Sequence, residues 1–90
     1  MSAWCLYLLE CEDGSLYTGI TNDLERRLAM HDAGKGARYT RGRGPVALVY
    51  REACADRSAA SRREAQVKRL PLAEKRALAA KPARRRKQLQ

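Results

Sequence analysis

The chain reads as one small α+β domain, and three observations predict it. Residues 3–20 hold two strand-like runs separated by Glu12-Asp13-Gly14-Ser15, the pattern of a β-hairpin. A third run, Pro45 to Glu52, carries Val46, Leu48 and Tyr50 in alternation, with Ala47 and Val49 also apolar. Helix-length segments opened by capping residues lie between and after these runs. Ninety residues allow a single domain with a small core. We expect residues 1–80 to form it and residues 81–90 to be a basic, disordered tail.

Taken in order, residues 3–11 are almost continuously apolar and long enough for a central strand. Residues 16–20, Leu16-Tyr17-Thr18-Gly19-Ile20, supply its hairpin partner. Asn22 is a helix cap, with Glu25 three residues on to complete a capping box. That helix is expected from about Asp23 to Asp32, stopping at Gly34. Residues 34–45 hold four glycines, a proline and four basic residues, and read as a loop with a basic edge. Asp56 or Ser58 opens a second helix reaching about Leu70. Pro71 suits a first turn, so a short third helix follows. The run Lys81-Pro82-Ala83-Arg84-Arg85-Arg86-Lys87 has no apolar anchor, which is why it reads as disordered.

Hairpin register decides whether Tyr7 and Tyr17 can act together. A two-residue Asp13-Gly14 turn pairs Glu10 with Tyr17 and puts the two phenols on opposite faces. A three-residue loop of Glu12, Asp13 and left-handed Gly14 pairs Cys11 with Ser15 and Leu9 with Tyr17, putting both phenols on one face. Gly14 suits the left-handed position, so the bulged turn is predicted.

The formal charge is +9 and unevenly spread. Residues 1–60 carry eight basic and eight acidic side chains, so all the excess lies in residues 61–90, with eleven basic groups against Glu64 and Glu74. Such asymmetry suits a polyanionic partner, most simply nucleic acid; the bland alternative is a solvated basic tail. Charge alone does not separate DNA from RNA. Cys5, Cys11 and Cys54 are an odd set without zinc spacing and read as small buried apolar residues in a reducing compartment. No apolar run approaches membrane-spanning length and the N-terminus lacks signal-peptide features, which points to the cytoplasm.

Four residue types stand out chemically. Leu24, Arg27, Leu28 and His31 follow i, i+3, i+4, i+7 and project within one stripe of a helix. Arginine and histidine on a core-facing stripe are costly unless an anion meets them. The alternative, preferred for His31, is that they sit at the edge and reach water. Ala60, Glu64 and Val67 share one face of the next helix, aiming a carboxylate into the protein. Such a carboxylate needs a metal or an ion pair, with Arg63 or Lys68 as the ready partners. Tyr7 and Tyr17 are by default ordinary strand aromatics. Gly19 leaves room for a backbone or substrate to approach. Two phenols, a guanidinium and a carboxylate are together a set able to cut a phosphodiester.

These segments coincide with one family. Cys5-Leu6-Tyr7 followed by Tyr17-Thr18-Gly19 resembles the paired tripeptides of the GIY-YIG nucleases. The match continues through Thr21 to His31, and Gly36 to Arg41 with Arg62 to Lys68 are similar to the small, stand-alone bacterial (YhbQ-like) branch. The resemblance covers roughly residues 3–78. It implies a small three-stranded antiparallel sheet flanked by helices, and metal-dependent cleavage of DNA or structured nucleic acid, in repair or recombination. By position it implies Tyr17 as general base for an attacking water, Tyr7 as support for the water and phosphate network, and Arg27 on the scissile phosphate. His31 fills a position where relatives place histidine or tyrosine. Glu64 would hold Mg²⁺ or Mn²⁺. Arg38, Arg41, Arg43, Lys68, Arg84, Arg85, Arg86 and Lys87 are the candidate nucleic-acid contacts. The rival readings are a catalytically weak nucleic-acid-binding module and a subunit of a larger repair assembly whose protein partner supplies targeting. Oligomeric state is not legible.

Overall fold

A computed structural model describes residues 3–32 and 46–88, with side chains through residue 80. The elements run β1 (Cys5–Cys11), β2 (Leu16–Thr21), α1 (Leu24–Asp32), β3 (Val46–Ala53), α2 (Arg57–Lys68) and α3 (Leu72–Gln88). They form an antiparallel sheet of order β2-β1-β3, so the apolar first run is the central strand. Being central, β1 has no polar edge to solvate, and Cys5 through Leu9 are all buried.

The hairpin takes the bulged register. Leu9 faces Tyr17 and Glu10 faces Leu16, and the Cys11 amide donates to the Ser15 carbonyl at 2.9 Å. Gly14 has φ 86°, the left-handed geometry this turn requires. Asp13 accepts from the backbone and side chain of Ser15 and closes the turn from within. Arg76 of α3 donates to the Gly14 carbonyl at 2.7 Å and lies 3.6 Å from Glu10, pinning the hairpin tip to the last helix.

Strand β3 pairs with β1 through a register shift: Leu8 faces Tyr50, Leu9 faces Leu48, and Val49 is the extra residue. The bulge explains why both phases of the third run are apolar. Val49 and Tyr50 both pack against the core of Leu6, Leu8 and Val67, with Ile20, Leu70 and Leu78 around it. The even-numbered face of β1 thus meets α2 and α3, and the odd-numbered face is left for Tyr7 and its neighbours.

Caps set the helix starts. Asp56 accepts from the Ala59 amide at 2.8 Å and opens α2 as expected. In α1 the cap is Asp23 and not Asn22. Its carboxylate accepts from the Arg26 amide at 3.2 Å, and the Thr21 hydroxyl accepts from the Asp23 amide, fixing the chain entry one residue later. The Pro71 carbonyl accepts from the Glu74 and Lys75 amides, so the proline stands just ahead of α3.

That helix is long, not short. Its backbone continues to Gln88, where a disordered tail is expected from residue 81. Leu, Ala, Glu, Lys and Arg are strong helix formers, and propagation adds one hydrogen bond per residue fixed. Pro82 withholds one such bond from the Leu78 carbonyl. The expected loop of residues 34–45 lies outside the described residues.

Candidate nuclease site

Three rings meet on the odd-numbered face of the sheet. The Tyr7 and Tyr17 ring centroids are 6.3 Å apart, Tyr7 and His31 6.2 Å, and Tyr17 and His31 5.4 Å. The bulged hairpin puts both tyrosines on this face, and α1 lowers His31 onto them. The Tyr7 hydroxyl lies 3.4 Å from Nε2 of His31, a long contact whose donor depends on the imidazole tautomer.

Gly19 makes this packing feasible. It faces Tyr7 across the β1–β2 pair. A methyl group on Gly19 would sit 2.6 Å from the Tyr7 Cζ and hydroxyl oxygen and 3.0 Å from Cε2 of Tyr17. The space that the sequence pattern reserves for a backbone or a substrate is therefore filled by the Tyr7 ring itself.

Burial separates the two phenols. Tyr7 is 1% exposed, whereas Tyr17 is half-buried. Burial pushes the Tyr7 pKa up to about 12; the neighbouring Tyr17 adds to the rise, Arg27 opposes it, and Cys5 and Glu64 add smaller increments. Tyr7 is thus held protonated at neutral pH.

The helix stripe divides differently from expectation. His31 is only 5% exposed, so the edge position preferred for it does not hold. Arg27 is the exposed one, and its guanidinium acts on Tyr7 through its field. Helical spacing fixes a stripe about 100° wide but not which of its members is at the rim.

Glu64 lies on α2 between the fully buried Ala60 and Val67 and keeps a quarter of its side-chain surface exposed. Lys68 approaches it to 3.4 Å across one helical turn. Arg63, the other anticipated partner, bonds Glu52 instead, at 2.9 Å, and Glu52 also accepts from the Tyr50 hydroxyl at 2.6 Å. That half-buried network ties α2 to β3 one residue away from Glu64. Among the described residues no three His, Cys, Asp or Glu side chains converge. A divalent ion here would have Glu64 as its protein carboxylate, completed by water and substrate oxygens, which suits Mg²⁺ or Mn²⁺.

Of the anticipated nucleic-acid contacts, Lys68 is exposed and engaged with Glu64. Arg38, Arg41 and Arg43 lie outside the described residues, and Arg84, Arg85, Arg86 and Lys87 lie on the α3 backbone beyond the described side chains. An open cleft of about 500 Å³ escapes the sequence reading. Trp4, Arg26, Arg27, Met30 and Arg57 line it, and the Arg57 guanidinium stands 5.7 Å over the indole. The cysteines are free, with Cys5 and Cys11 buried and Cys54 half-buried. Among the described residues no helix is long and apolar enough to cross a membrane.

Residues 3–77 match the model of the GIY-YIG catalytic domain. A UPF0213 protein of Desulfotalea psychrophila is 56% identical over 77 residues, covering 84% of this chain and 70% of that one. A UPF0213 protein of Oceanobacillus iheyensis is 53% identical over 70 residues, covering 78% and 81%. The solution NMR structure of a UPF0213 protein from Bacillus halodurans is 48% identical, covers 86% of this chain and 82% of its own, and superimposes with a TM-score of 0.55. Three paired strands in the order β2-β1-β3, two tyrosines on one face and sequence identity near one half with UPF0213 proteins lead to one conclusion: the chain belongs to the GIY-YIG family, a family of nucleases, in its UPF0213 branch.

Proposed function

We propose that the protein is a metal-dependent endonuclease that hydrolyses phosphodiester bonds in DNA or structured nucleic acid. The observation that carries this is the cluster of Tyr7, Tyr17 and His31, with the opposite charges of Arg27 and Glu64 both acting on Tyr7. Tyr17, the more accessible phenol, gives up its own proton to solvent and, as the phenolate, takes the proton of the attacking water. Tyr7 stays protonated and, braced by His31, holds the geometry around Tyr17. Exposed Arg27 binds the scissile phosphate and stabilises charge on phosphorus. Glu64 holds Mg²⁺ or Mn²⁺. When bound, the ion supplies positive charge at the leaving oxygen.

The working environment follows from the same reading. Three free thiols suit a reducing cytoplasm. The basic surplus of residues 61–90 suits nucleic acid, and repair or recombination with a targeting protein partner is the setting we favour. One observation favours a second reading, that of a weakly catalytic binding module: the Lys68 ammonium already sits by the Glu64 carboxylate and competes with a cation there.

The test is incubation with branched, nicked, single-stranded and duplex DNA plus Mn²⁺, comparing wild type with Glu64→Gln. Cleavage by wild type that collapses in Glu64→Gln, with Glu64→Gln still folded by circular dichroism, is expected. Full metal-dependent cleavage by Glu64→Gln would remove Glu64 from the reaction. Nucleic-acid binding without any cleavage would favour the second reading.

A further inference from the structure

The cleft beside Arg27 has a composition that the catalytic set does not use. Its wall is the Trp4 indole and the Met30 side chain, and its cations are Arg26, Arg27 and Arg57. Three elements and the chain start build it: Trp4 precedes β1; Ile20 and Thr21 end β2; Arg26, Arg27 and Met30 lie on α1; and Arg57 opens α2. Among the described residues one carboxylate lines it. Asp23 is there, but its oxygen already accepts from the Arg26 amide as the α1 cap. Among the described residues, three guanidiniums against one carboxylate leave a formal charge of +2 around the opening.

An anion is attracted to such a cleft, and the flat wall selects among anions. Guanidiniums present planar donor forks that match phosphate oxygens. An indole offers a face on which a sugar or base packs, worth about 1–3 kcal/mol where a base stacks. Arg57 is preset by resting over Trp4, so less freedom is lost when it meets a phosphate. Arg27 joins the cleft to the tyrosine site, because it lines the one and acts on Tyr7 in the other.

We infer that this cleft is a nucleotide subsite: Arg26 and Arg57 hold the phosphate next to the scissile one, and the Trp4–Met30 wall packs against its nucleoside. The inference rests on the nuclease reading for which phosphate is cut, but the binding it describes is measurable without cleavage. It assigns a substrate-positioning role to four residues outside the catalytic set, namely Trp4, Arg26, Met30 and Arg57.

Trp4 is the single tryptophan of the chain and therefore a direct reporter. The experiment titrates Glu64→Gln protein, which binds without cutting, with a short single-stranded oligonucleotide and with its duplex, following Trp4 emission. We expect emission to change as oligonucleotide binds. Adding Arg57→Gln should weaken binding by about tenfold and reduce the salt slope by roughly 0.7 on the single strand or 0.9 on the duplex. Arg57→Lys should restore part of both. In otherwise wild-type protein, Arg57→Gln should raise KM and leave kcat nearly unchanged, as for a group that binds ground and transition state alike. Arg57 is exposed, so these variants test binding and not folding.

Unchanged emission on saturation, or an unchanged affinity and salt slope in Arg57→Gln, would overturn the subsite even if wild type cleaves. Arg57-dependent binding by a protein that cuts no substrate would uphold the subsite and overturn the nuclease reading.

Discussion

The inner and outer halves of the site are held by different physics. Inside, Tyr7 is 1% exposed and packed among Gly19, Tyr17 and His31, with no room for a methyl group on Gly19. Outside, Arg27 and Lys68 are exposed, Glu64 is half-buried, and their arrangement rests on charges that water screens. A packed group has one geometry whether or not substrate is present. A charged rim is set only when a phosphate or cation arrives. The inner half therefore identifies the site, and the outer half sets how it meets a phosphate or a cation.

Apart from loss of the general base, the largest expected effect breaks the rim. Glu64→Gln keeps the shape and removes the charge, and cleavage should fall by about 100-fold or more in single-turnover assays. Its melting temperature should stay near that of wild type, because Lys68, the ion-pair partner of Glu64, is exposed to water.

Next comes a break in the packed half. Gly19→Ala puts a methyl group 2.6 Å from the Tyr7 ring. Overpacking of this kind costs about 1–3 kcal/mol. Urea unfolding should show that loss, and cleavage should fall with it because Tyr7 must move.

An alkaline titration sharpens the same half. Tyr7 rises from an ordinary value of 10.0 to about 12 on folding. The folded state then binds the proton more tightly than the unfolded chain does. The resulting stability is complete below about pH 10 and is lost as pH climbs through about 12, a change of at most about 3 kcal/mol. Tyr50, also raised, by burial first and then by Glu52, acts in the same direction. Denaturant midpoints should therefore decline across that window, and Tyr7→Phe should flatten part of the decline.

The smallest effect probes the competition at the rim. Lys68→Met frees Glu64 from its 3.4 Å neighbour. An exposed pair contributes about 0.2–1 kcal/mol, so Mn²⁺ affinity should rise by up to about fivefold. Calorimetric titration with Mn²⁺ measures it directly, and an unchanged affinity would show that the pair does not hold the carboxylate back.

Much of this was legible in the residues, for reasons that separate the two halves. Gly14 announced the bulged turn, and the turn alone put both tyrosines on one face. Asp56 and Ser58 were the two candidate caps of α2, of which Asp56 serves, and the spacing of Ala60, Glu64 and Val67 announced its inward side. Periodicity did not order Arg27 and His31 within their stripe, because neighbours on a helix differ in burial by less than the stripe's width. Val49 obscured the phase of β3, since a bulge makes both faces apolar. The length of α3 was hidden by Pro82 and by the want of apolar anchors after Ala80. The Trp4–Arg26–Arg57 cleft joins residues far apart in the chain, and no local pattern reports such a meeting.

The two phenols have different tasks in the proposed reaction, one accessible and one buried and protonated. The direct measurement is the single-turnover cleavage rate at saturating Mn²⁺ for Tyr17→Phe and Tyr7→Phe, each checked for folding by circular dichroism. Loss of a general base should slow Tyr17→Phe by about 100- to 10,000-fold, while Tyr7→Phe, which keeps the packed ring, should lose about tenfold. A Tyr17→Phe protein that cuts at the wild-type rate, beside a Tyr7→Phe protein that does not cut, would contradict this division of tasks.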